Sequence, residues 1–292
     1  MNPARTLLIV PPNDEEAYLI AEIGERLGMQ VYRSSQPHGA RLEKEPGVCA
    51  FIKKSSADTV VVVEMPGLKT EGEIRRLGRH LVIIDHHNYT DLDRAHALDG
   101  TPLPSSLEQF LRLFDVTDEQ LDRFGYVPRF VRAVGLWDAG YIWALFDAGF
   151  SREDMEKFLV FKDEIALRVG AAEVAPHNKE MAKGAWEQRE TFGDFLIVTS
   201  LDPIAQIRSN VSRLAAMEFW RPTPMIISER GGKRLYVQET DHALDLFHHF
   251  GGFTFGTDRN WGYDNDTEKV SCTLSDVKTF LYDTRKTHDA GI

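Results

Sequence analysis

The first half of the chain alternates short apolar runs with amphipathic segments, a pattern typical of a parallel α/β sheet. We interpret residues 6–10, 30–33, 59–63 and 81–84 as strands. The third run contains four consecutive valines, so we expect its strand to be covered on both faces. Between the first two strands, Ile20, Ile23 and Leu27 recur at helical spacing, and Gly28 is placed to end that helix.

Further along, the apolar spacing becomes mainly helical. Ser105 and Glu108 have the chemistry of a helix start, and residues 127–148 predict a helix interrupted at Gly135 and Gly140. A charged helical segment follows over residues 151–189. A second unit then begins near residue 191, and its predicted elements are a strand at 195–200, an amphipathic segment at 204–219, a hairpin pairing 225–228 with 234–238, and a helix from Asp241 to Phe250.

These patterns predict an α/β protein of two domains. Residues 1–150 would form a parallel-sheet domain, residues 151–190 a helical connector, and residues 191–292 a smaller α/β domain. The chain of 292 residues with 42% hydrophobic positions is long enough for two cores.

Composition narrows the possible partners. A net charge of −11 argues against a broad basic groove for long duplex nucleic acid, but it is compatible with a small anionic substrate held by a metal. Cys49 and Cys272 have no zinc-type or disulfide-framework spacing, which favours a cytoplasmic location. We find no signal-type or membrane-spanning apolar segment, so we expect no membrane association.

Acidic and imidazole side chains follow three of the four predicted strands. Asp14 and Glu16 follow the first, Glu64 the third, and Asp85-His86-His87 the fourth. Because the carboxyl ends of parallel strands meet at one edge of a sheet, we expect these residues to lie together and to hold a divalent cation. Each motif alone is also typical of a hydrogen-bonded turn or a solvated surface; their common position favours the metal site.

In these motifs and their order, residues 6–145 resemble the DHH phosphoesterase superfamily. This group includes single-strand exonucleases, nanoRNA and cyclic-dinucleotide phosphodiesterases, and family II inorganic pyrophosphatases. Residues 10–17, Val-Pro-Pro-Asn-Asp-Glu-Glu-Ala, match its first motif, Asp85-His86-His87 matches the motif that names it, and Asp138 falls on its last acidic position.

The resemblance implies a role for each of these residues. One ion would be held by Asp14 and Glu64, and a second by Glu16, Glu64, His86 and Asp138. Asp85 would orient His86, and His87 would lie near the substrate, so we assign Asp85 and His87 to catalysis. The implied cofactor is a divalent metal, with Mn²⁺ favoured and Mg²⁺ or Co²⁺ as alternatives.

The first motif also departs from the family. Val10 stands where the family has a histidine, and Glu16 and Glu64 stand where it has aspartates. Since valine cannot bind a metal, we expect one ion to bind tightly and the other weakly, unless a residue such as Asn13 supplies the missing ligand.

The second half resembles the family's substrate domain more weakly. Its glycine-rich run, residues 251–256, ends without the family's histidine, and the arginine usual near residues 237–239 is absent. We take Gly251, Gly252, Arg208 and Arg259 as candidate substrate contacts. Phe253, Phe255, Trp261 and Tyr263 either stack on a base or pack the core of the small domain.

The resulting hypothesis is a metal-dependent phosphoesterase with its active site between the two domains. Its substrate would be a small phosphodiester, such as a short single-stranded oligonucleotide or a nucleotide derivative. Two alternatives stay open: a catalytically degenerate relative that binds a nucleotide or a partner, and a pyrophosphatase-like hydrolase using Arg208, Arg213, Lys233 and Arg234. The sequence leaves the oligomeric state open, a dimer included.

Overall fold

A computed structural model describes residues 1–89, 92–171, 175–255 and 259–289. The chain divides into two compact units, Met1–Ala171 (unit 1) and Ala172–Ile292 (unit 2). The division falls inside the segment 151–190, and the three-part domain limits stay a prediction. The predicted fold class is confirmed: unit 1 contains a parallel sheet with helices, and unit 2 contains a second, mixed sheet with helices.

Unit 1 is built on a four-stranded parallel sheet in the order β2-β1-β3-β4. Its strands are β1 (Thr6–Val10), β2 (Gln30–Arg33), β3 (Thr59–Val63) and β4 (His80–Ile84), close to the predicted ranges; a short antiparallel pair, β5 (Asn88–Tyr89) and β6 (Leu92–Asp93), follows. The chain runs from β1 to one side and returns to the other side at β3. Such a reversal leaves a crevice beyond the carboxyl ends of β1 and β3, where ligands bind in open α/β sheets.

The two central strands carry the core of unit 1. Residues Val60, Val61, Val62 and Val63 of β3 are all fully buried, as expected for a strand covered on both faces. On one of these faces, Leu7 and Ile9 of β1 belong to the same core cluster as Val60 and Val62. The helices of unit 1 are α1 (Glu15–Arg26), α2 (Val48–Lys54), α3 (Leu68–Arg76), α4 (Ser106–Leu113), α5 (Asp118–Arg123), α6 (Pro128–Asp147) and α7 (Arg152–Ala166).

Helix α6 differs from its prediction at one of two glycines. The helix continues through Gly135, where a Cβ would lie 2.3 Å from Ser105 Oγ. Gly135 therefore allows a close helix contact and causes no interruption. The predicted break at Gly140 is confirmed, because Gly140 and Tyr141 leave helical geometry and Tyr141 has a φ of +57°.

Unit 2 contains a six-stranded mixed sheet in the order β11-β12-β10-β9-β8-β7. Its strands are β7 (Glu190–Phe192), β8 (Phe195–Thr199), β9 (Met225–Glu229), β10 (Arg234–Gln238), β11 (Phe253–Phe255) and β12 (Asn260–Asp264), and its helices are α8 (Ala175–Glu187), α9 (Arg208–Phe219), α10 (Ala243–Phe250) and α11 (Leu274–Asp289). The predicted hairpin is confirmed by the antiparallel pairing of β9 and β10.

The aromatic segment after Gly252 is mostly sheet. Residues 253–255 and 260–264 pair as β11 and β12, and Trp261 and Tyr263 are among the largest fully buried side chains. Core packing is therefore the role of these two rings, whereas Phe253 remains 46% exposed. Among the helices that the structure describes, none has the length and apolar character needed to cross a membrane.

Candidate metal centre

Four predicted ligands converge beyond the parallel sheet of unit 1. Glu16 lies in the first turn of α1, after β1, and Glu64 follows β3 directly, in a left-handed backbone conformation with φ +49°. His86 follows β4, and Asp138 lies on α6 two residues before its break. Backbone strain of the kind seen at Glu64 and Tyr141 is concentrated at functional sites in proteins.

The imidazole of His86 lies at the centre of this cluster. Its Nε2 is 2.8 Å from Asp138 Oδ2, 3.4 Å from Glu64 Oε1 and 3.6 Å from Glu16 Oε2. These four side chains present ligand atoms that all lie within 4.8 Å of one another, close enough for a single cation to bind. The structure thus brings together the four residues predicted to hold the second ion.

The cluster is buried and incompletely satisfied. The side chains of Glu16, Glu64 and His86 are only 2%, 10% and 10% exposed. Glu16 Oε2, Glu64 Oε1 and His86 Nε2 form no well-aligned hydrogen bond among the described residues. Three carboxylates here face one imidazole, so even a protonated His86 leaves excess negative charge in a buried place, and each desolvated ion costs on the order of several kcal/mol. A divalent cation bound by carboxylate and imidazole atoms would remove that penalty, so the residues present fit a metal.

The pKa values of the cluster are shifted in the directions expected for an excess of buried negative charge. Burial raises the pKa of Glu16 well above its usual range, and the charges of Asp138 and Glu64 raise it further. Burial alone would lower the pKa of His86, but the carboxylates of Asp138, Glu64 and Glu16 outweigh burial and raise it to about 11. In the protein alone, the proton on His86 is therefore the cation among these acids. Metal binding would displace this proton.

Asp14 lies at the border of the centre. Its carboxylate caps α1 by accepting a hydrogen bond from Ala17 N at 2.8 Å, and it is not part of the four-residue cluster. Burial raises the pKa of Asp14 to about 6, with a further contribution from the charge of Glu64. Asp14 thus lies within electrostatic reach of Glu64, and its role as a ligand stays a prediction.

Asp85 contacts a different histidine from the one expected. Its Oδ1 lies 3.0 Å from His87 Nδ1 and accepts a hydrogen bond from His87 N, also at 3.0 Å. Its Oδ2 accepts one from the hydroxyl of Tyr89 at 3.0 Å. Asp85 therefore orients His87 in this structure and not His86, whose Nε2 instead contacts Asp138, Glu64 and Glu16.

Three residues that hold Asp85 and Glu16 in place were not indicated by the sequence. Tyr89 donates to Asp85, and Gln109 donates from Nε2 to the Asp85 carbonyl at 2.9 Å. Leu107 N, in the first turn of α4, donates to Glu16 Oε1 at 2.8 Å and holds the other oxygen toward His86. The capping motif of α4 was visible in the sequence, but nothing there indicated that a helix start 91 residues away would bind Glu16.

The candidate substrate residues of unit 2 have different surroundings. Arg259 pairs with Asp241 at 2.9 Å, so its charge is already compensated. Gly251 O accepts a hydrogen bond from Trp261 Nε1 at 2.8 Å, and a Cβ on Gly252 would lie 2.3 Å from Gly262 O. The contacts of both glycines are therefore with β12, which gives them a packing role.

Arg208 is the exception among these candidates. Its guanidinium lies over the rings of Tyr236 and Phe255, at 5.3 and 5.1 Å, and forms no ion pair with a carboxylate in the described part of the chain. The backbone N–H of Arg208 donates to the buried carboxylate of Glu229 at 2.9 Å, which fixes the start of α9. The guanidinium of Arg208 is thus positioned by two rings and is not bound directly by a carboxylate in the described part of the chain.

Comparisons with known proteins gave structural matches only. Neither a protein-family model nor a curated protein matches the chain. Exonuclease RecJ bound to manganese matches with a TM-score of 0.41 and 16% identity, covering 89% of this chain and 85% of its own. A pGpG-specific phosphodiesterase, PggH from Vibrio cholerae, matches with a TM-score of 0.45 and 9% identity, covering 98% and 99%.

A second RecJ structure, in complex with Mg²⁺ and from Thermus thermophilus, has a TM-score of 0.38 and 13% identity, covering 85% of this chain and 44% of its own.

Proposed function

We propose that the protein is a metal-dependent phosphoesterase that hydrolyses a small phosphodiester, such as a short oligonucleotide or a nucleotide derivative. The observation that supports this proposal is the cluster of Glu16, Glu64, His86 and Asp138, whose ligand atoms lie within 4.8 Å of one another and include three buried atoms without a hydrogen bond among the described residues. Carboxylate and imidazole donors of this kind suit Mn²⁺, with Mg²⁺ and Co²⁺ as alternatives.

The chain's own residues would position the reaction. The buried side of the cation site would be provided by His86 and by Glu16, which accepts a hydrogen bond from Leu107 N. Asp138 is 35% exposed and lies on the solvent side. When bound, the metal supplies an acidified water and a charge that clamps the phosphoryl oxygens during in-line attack. Because Asp138 is the most exposed of the four side chains, a substrate would approach from its side.

In unit 2, Arg208 stays our proposed contact for a substrate phosphate. Its guanidinium lies over the rings of Tyr236 and Phe255 and forms no direct ion pair with a carboxylate among the described residues. Arg208→Ala should raise KM more than it lowers kcat, and Arg208→Lys should restore part of the loss. Arg259→Ala is the matched control, since that arginine already pairs with Asp241.

The structure gives less support to the pyrophosphatase alternative. That chemistry calls for several uncompensated cations around a highly charged anion. Lys233 lies 3.2 Å from Asp266, and Arg234 lies 2.6 Å from Asp264, so two of the four cations that we considered are paired with acids.

The test is a turnover screen with the full chain. Pyrophosphate, linear dinucleotides, cyclic dinucleotides and short single strands would each be incubated with Mn²⁺, Mg²⁺ or Co²⁺, with a chelator and the His86→Ala variant as controls. We expect metal-dependent release of a phosphomonoester from a dinucleotide or short strand. Preference for pyrophosphate would favour the anhydride alternative, and tight nucleotide binding without turnover would favour the degenerate one.

A further inference from the structure

His87 is held in one orientation by its neighbours. Its Nδ1 lies 3.0 Å from Asp85 Oδ1, and Tyr89 fixes the other oxygen of that carboxylate. The Asp85 side chain is only 2% exposed, whereas that of His87 is 48% exposed. A buried carboxylate thus anchors a ring that reaches toward solvent.

The contact of His87 Nδ1 with Asp85 determines whether Nε2 of the same ring can bind a metal. Because a carboxylate only accepts hydrogen bonds, Nδ1 of His87 carries the hydrogen, and the neutral ring then has a free lone pair on Nε2. Metal-binding histidines share this arrangement: the second ring nitrogen donates to a carboxylate or carbonyl, which fixes the tautomer and the orientation.

His87 also lies beside ligand atoms. One ring nitrogen of His87, one nitrogen of His86 and one oxygen of Glu64 lie within 4.8 Å of one another, as a second ligand group that overlaps the four-residue cluster. Glu64 and His86 belong to both groups, and Glu64 Oε1, in a side chain that is nine-tenths buried, forms no hydrogen bond among the described residues. Glu64 follows β3, and His87 follows β4, the neighbouring strand.

We propose that His87 is a metal ligand, which together with Glu64 forms a second divalent-cation position beside the one formed by Glu16, His86 and Asp138. Glu64 is the residue common to both positions, and Asp85 and Tyr89 are positioning residues for His87. The inference rests on the metal centre of the proposed function but not on turnover. It places the nitrogen ligand of the second ion after β4, the neighbour of β3 on the side opposite β1. Val10, at the end of β1, is fully buried and cannot bind a metal.

The test is the stoichiometry of Mn²⁺ binding to metal-free protein. Titration calorimetry should show two Mn²⁺ ions per wild-type chain and one for His87→Ala, and the electron paramagnetic resonance spectrum should lose the signature of two coupled Mn²⁺ ions. Asp85→Asn should lower the affinity for the second ion by roughly 10–100-fold and leave the affinity for the first ion unchanged. His96→Ala is the matched control, because His96 has a similar contact, Nδ1 to Asp93 at 2.9 Å, outside both ligand groups.

Other results would overturn the inference. One ion in the wild-type chain would exclude the second cation position, and two ions of unchanged affinity in both His87→Ala and His87→Gln would show that His87 is not a ligand. Thermal melts of both variants would establish that binding is compared between folded proteins. Failure of the proposed function looks different: two ions, one lost in His87→Ala, together with no hydrolysis of any phosphodiester, would leave the ligand assignment standing and remove the activity.

Discussion

The chain contains two pairs of adjacent histidines, and the structure places them in opposite environments. His86 and His87 follow a parallel strand in unit 1, where His86 is 10% exposed among three carboxylates. His248 and His249 lie in the last turn of α10 in unit 2, where both are exposed. The ring of His249 lies 4.7 Å from that of Phe280, and neither residue belongs to a metal-competent group among the described residues.

The difference shows that the dipeptide alone carries little functional information. In unit 2, one helix end presents His248 and His249 to solvent without a carboxylate group around them among the described residues. At the edge of a parallel sheet, by contrast, the ends of β1, β3 and β4 bring carboxylates from distant parts of the chain to one imidazole. Topology supplies the acidic partners that a single helix end lacks.

The sharpest test of this contrast is removal of one histidine from each pair. His86→Ala should lower metal-dependent kcat/KM by roughly 100-fold or more, because it removes the central ligand of the cluster. Asp138→Asn should have an effect of the same order. His248→Ala should leave kcat/KM unchanged. Wild-type rates for both His86→Ala and Asp138→Asn under saturating Mn²⁺ would exclude the proposed centre.

The glycine turn that follows the second histidine pair should behave as a structural element. Gly252 has a φ of +82°, and a Cβ there would lie 2.3 Å from Gly262 O, so Gly252→Val should destabilise unit 2 by about 1–3 kcal/mol. Thermal or urea unfolding measures the loss. The affinity of the folded Gly252→Val variant for Mn²⁺ should equal that of the wild-type protein. An unchanged stability with a raised KM would instead restore the glycine pair as a substrate loop.

A smaller loss of stability is expected from a substitution in α6, the helix that carries Asp138. Gly135→Ala should cost about 1–2 kcal/mol of stability and weaken Mn²⁺ binding, because the new Cβ would press on Ser105 and shift α6, which carries Asp138. Gly184→Ala on α8 is the matched control. Nothing lies within 4 Å of a Cβ there, so a helix-propensity gain of about 0.5–1 kcal/mol is expected. Equal effects of the two substitutions would rule out this close-contact role.

The smallest effect should come from the residue that positions Asp85. Tyr89→Phe removes one hydrogen bond, worth about 0.5–1.5 kcal/mol, so the affinity for the second Mn²⁺ ion should fall roughly 2–12-fold. Tyr32→Phe is the control, since its hydroxyl donates to Glu45 at 2.9 Å in another part of unit 1. A loss of affinity that is the same in both variants would indicate a general change of stability and not a change at His87.

The sequence by itself determined the local elements and the order of the motifs. The apolar runs predicted β1, β2 and β3 with their observed bounds and β4 to within one residue. Parallel pairing then placed Glu16, Glu64 and His86 at one edge, since strand ends in such a sheet must meet there. Asp138 came from the order of motifs in the resemblance, and the structure brings it to 2.8 Å from His86.

Only the tertiary structure decided which side chains become partners. The sequence expectation linked Asp85 to His86, but the turn after β4 directs the carboxylate to His87 and Tyr89. Sequence spacing likewise predicted a break at Gly135, where the approach of Ser105 instead requires the absence of a side chain. The physical reason is the same in both cases. Periodicity records how each residue faces its own helix or strand, whereas a hydrogen bond or a 2.3 Å approach depends on the separation of segments that are far apart in the chain.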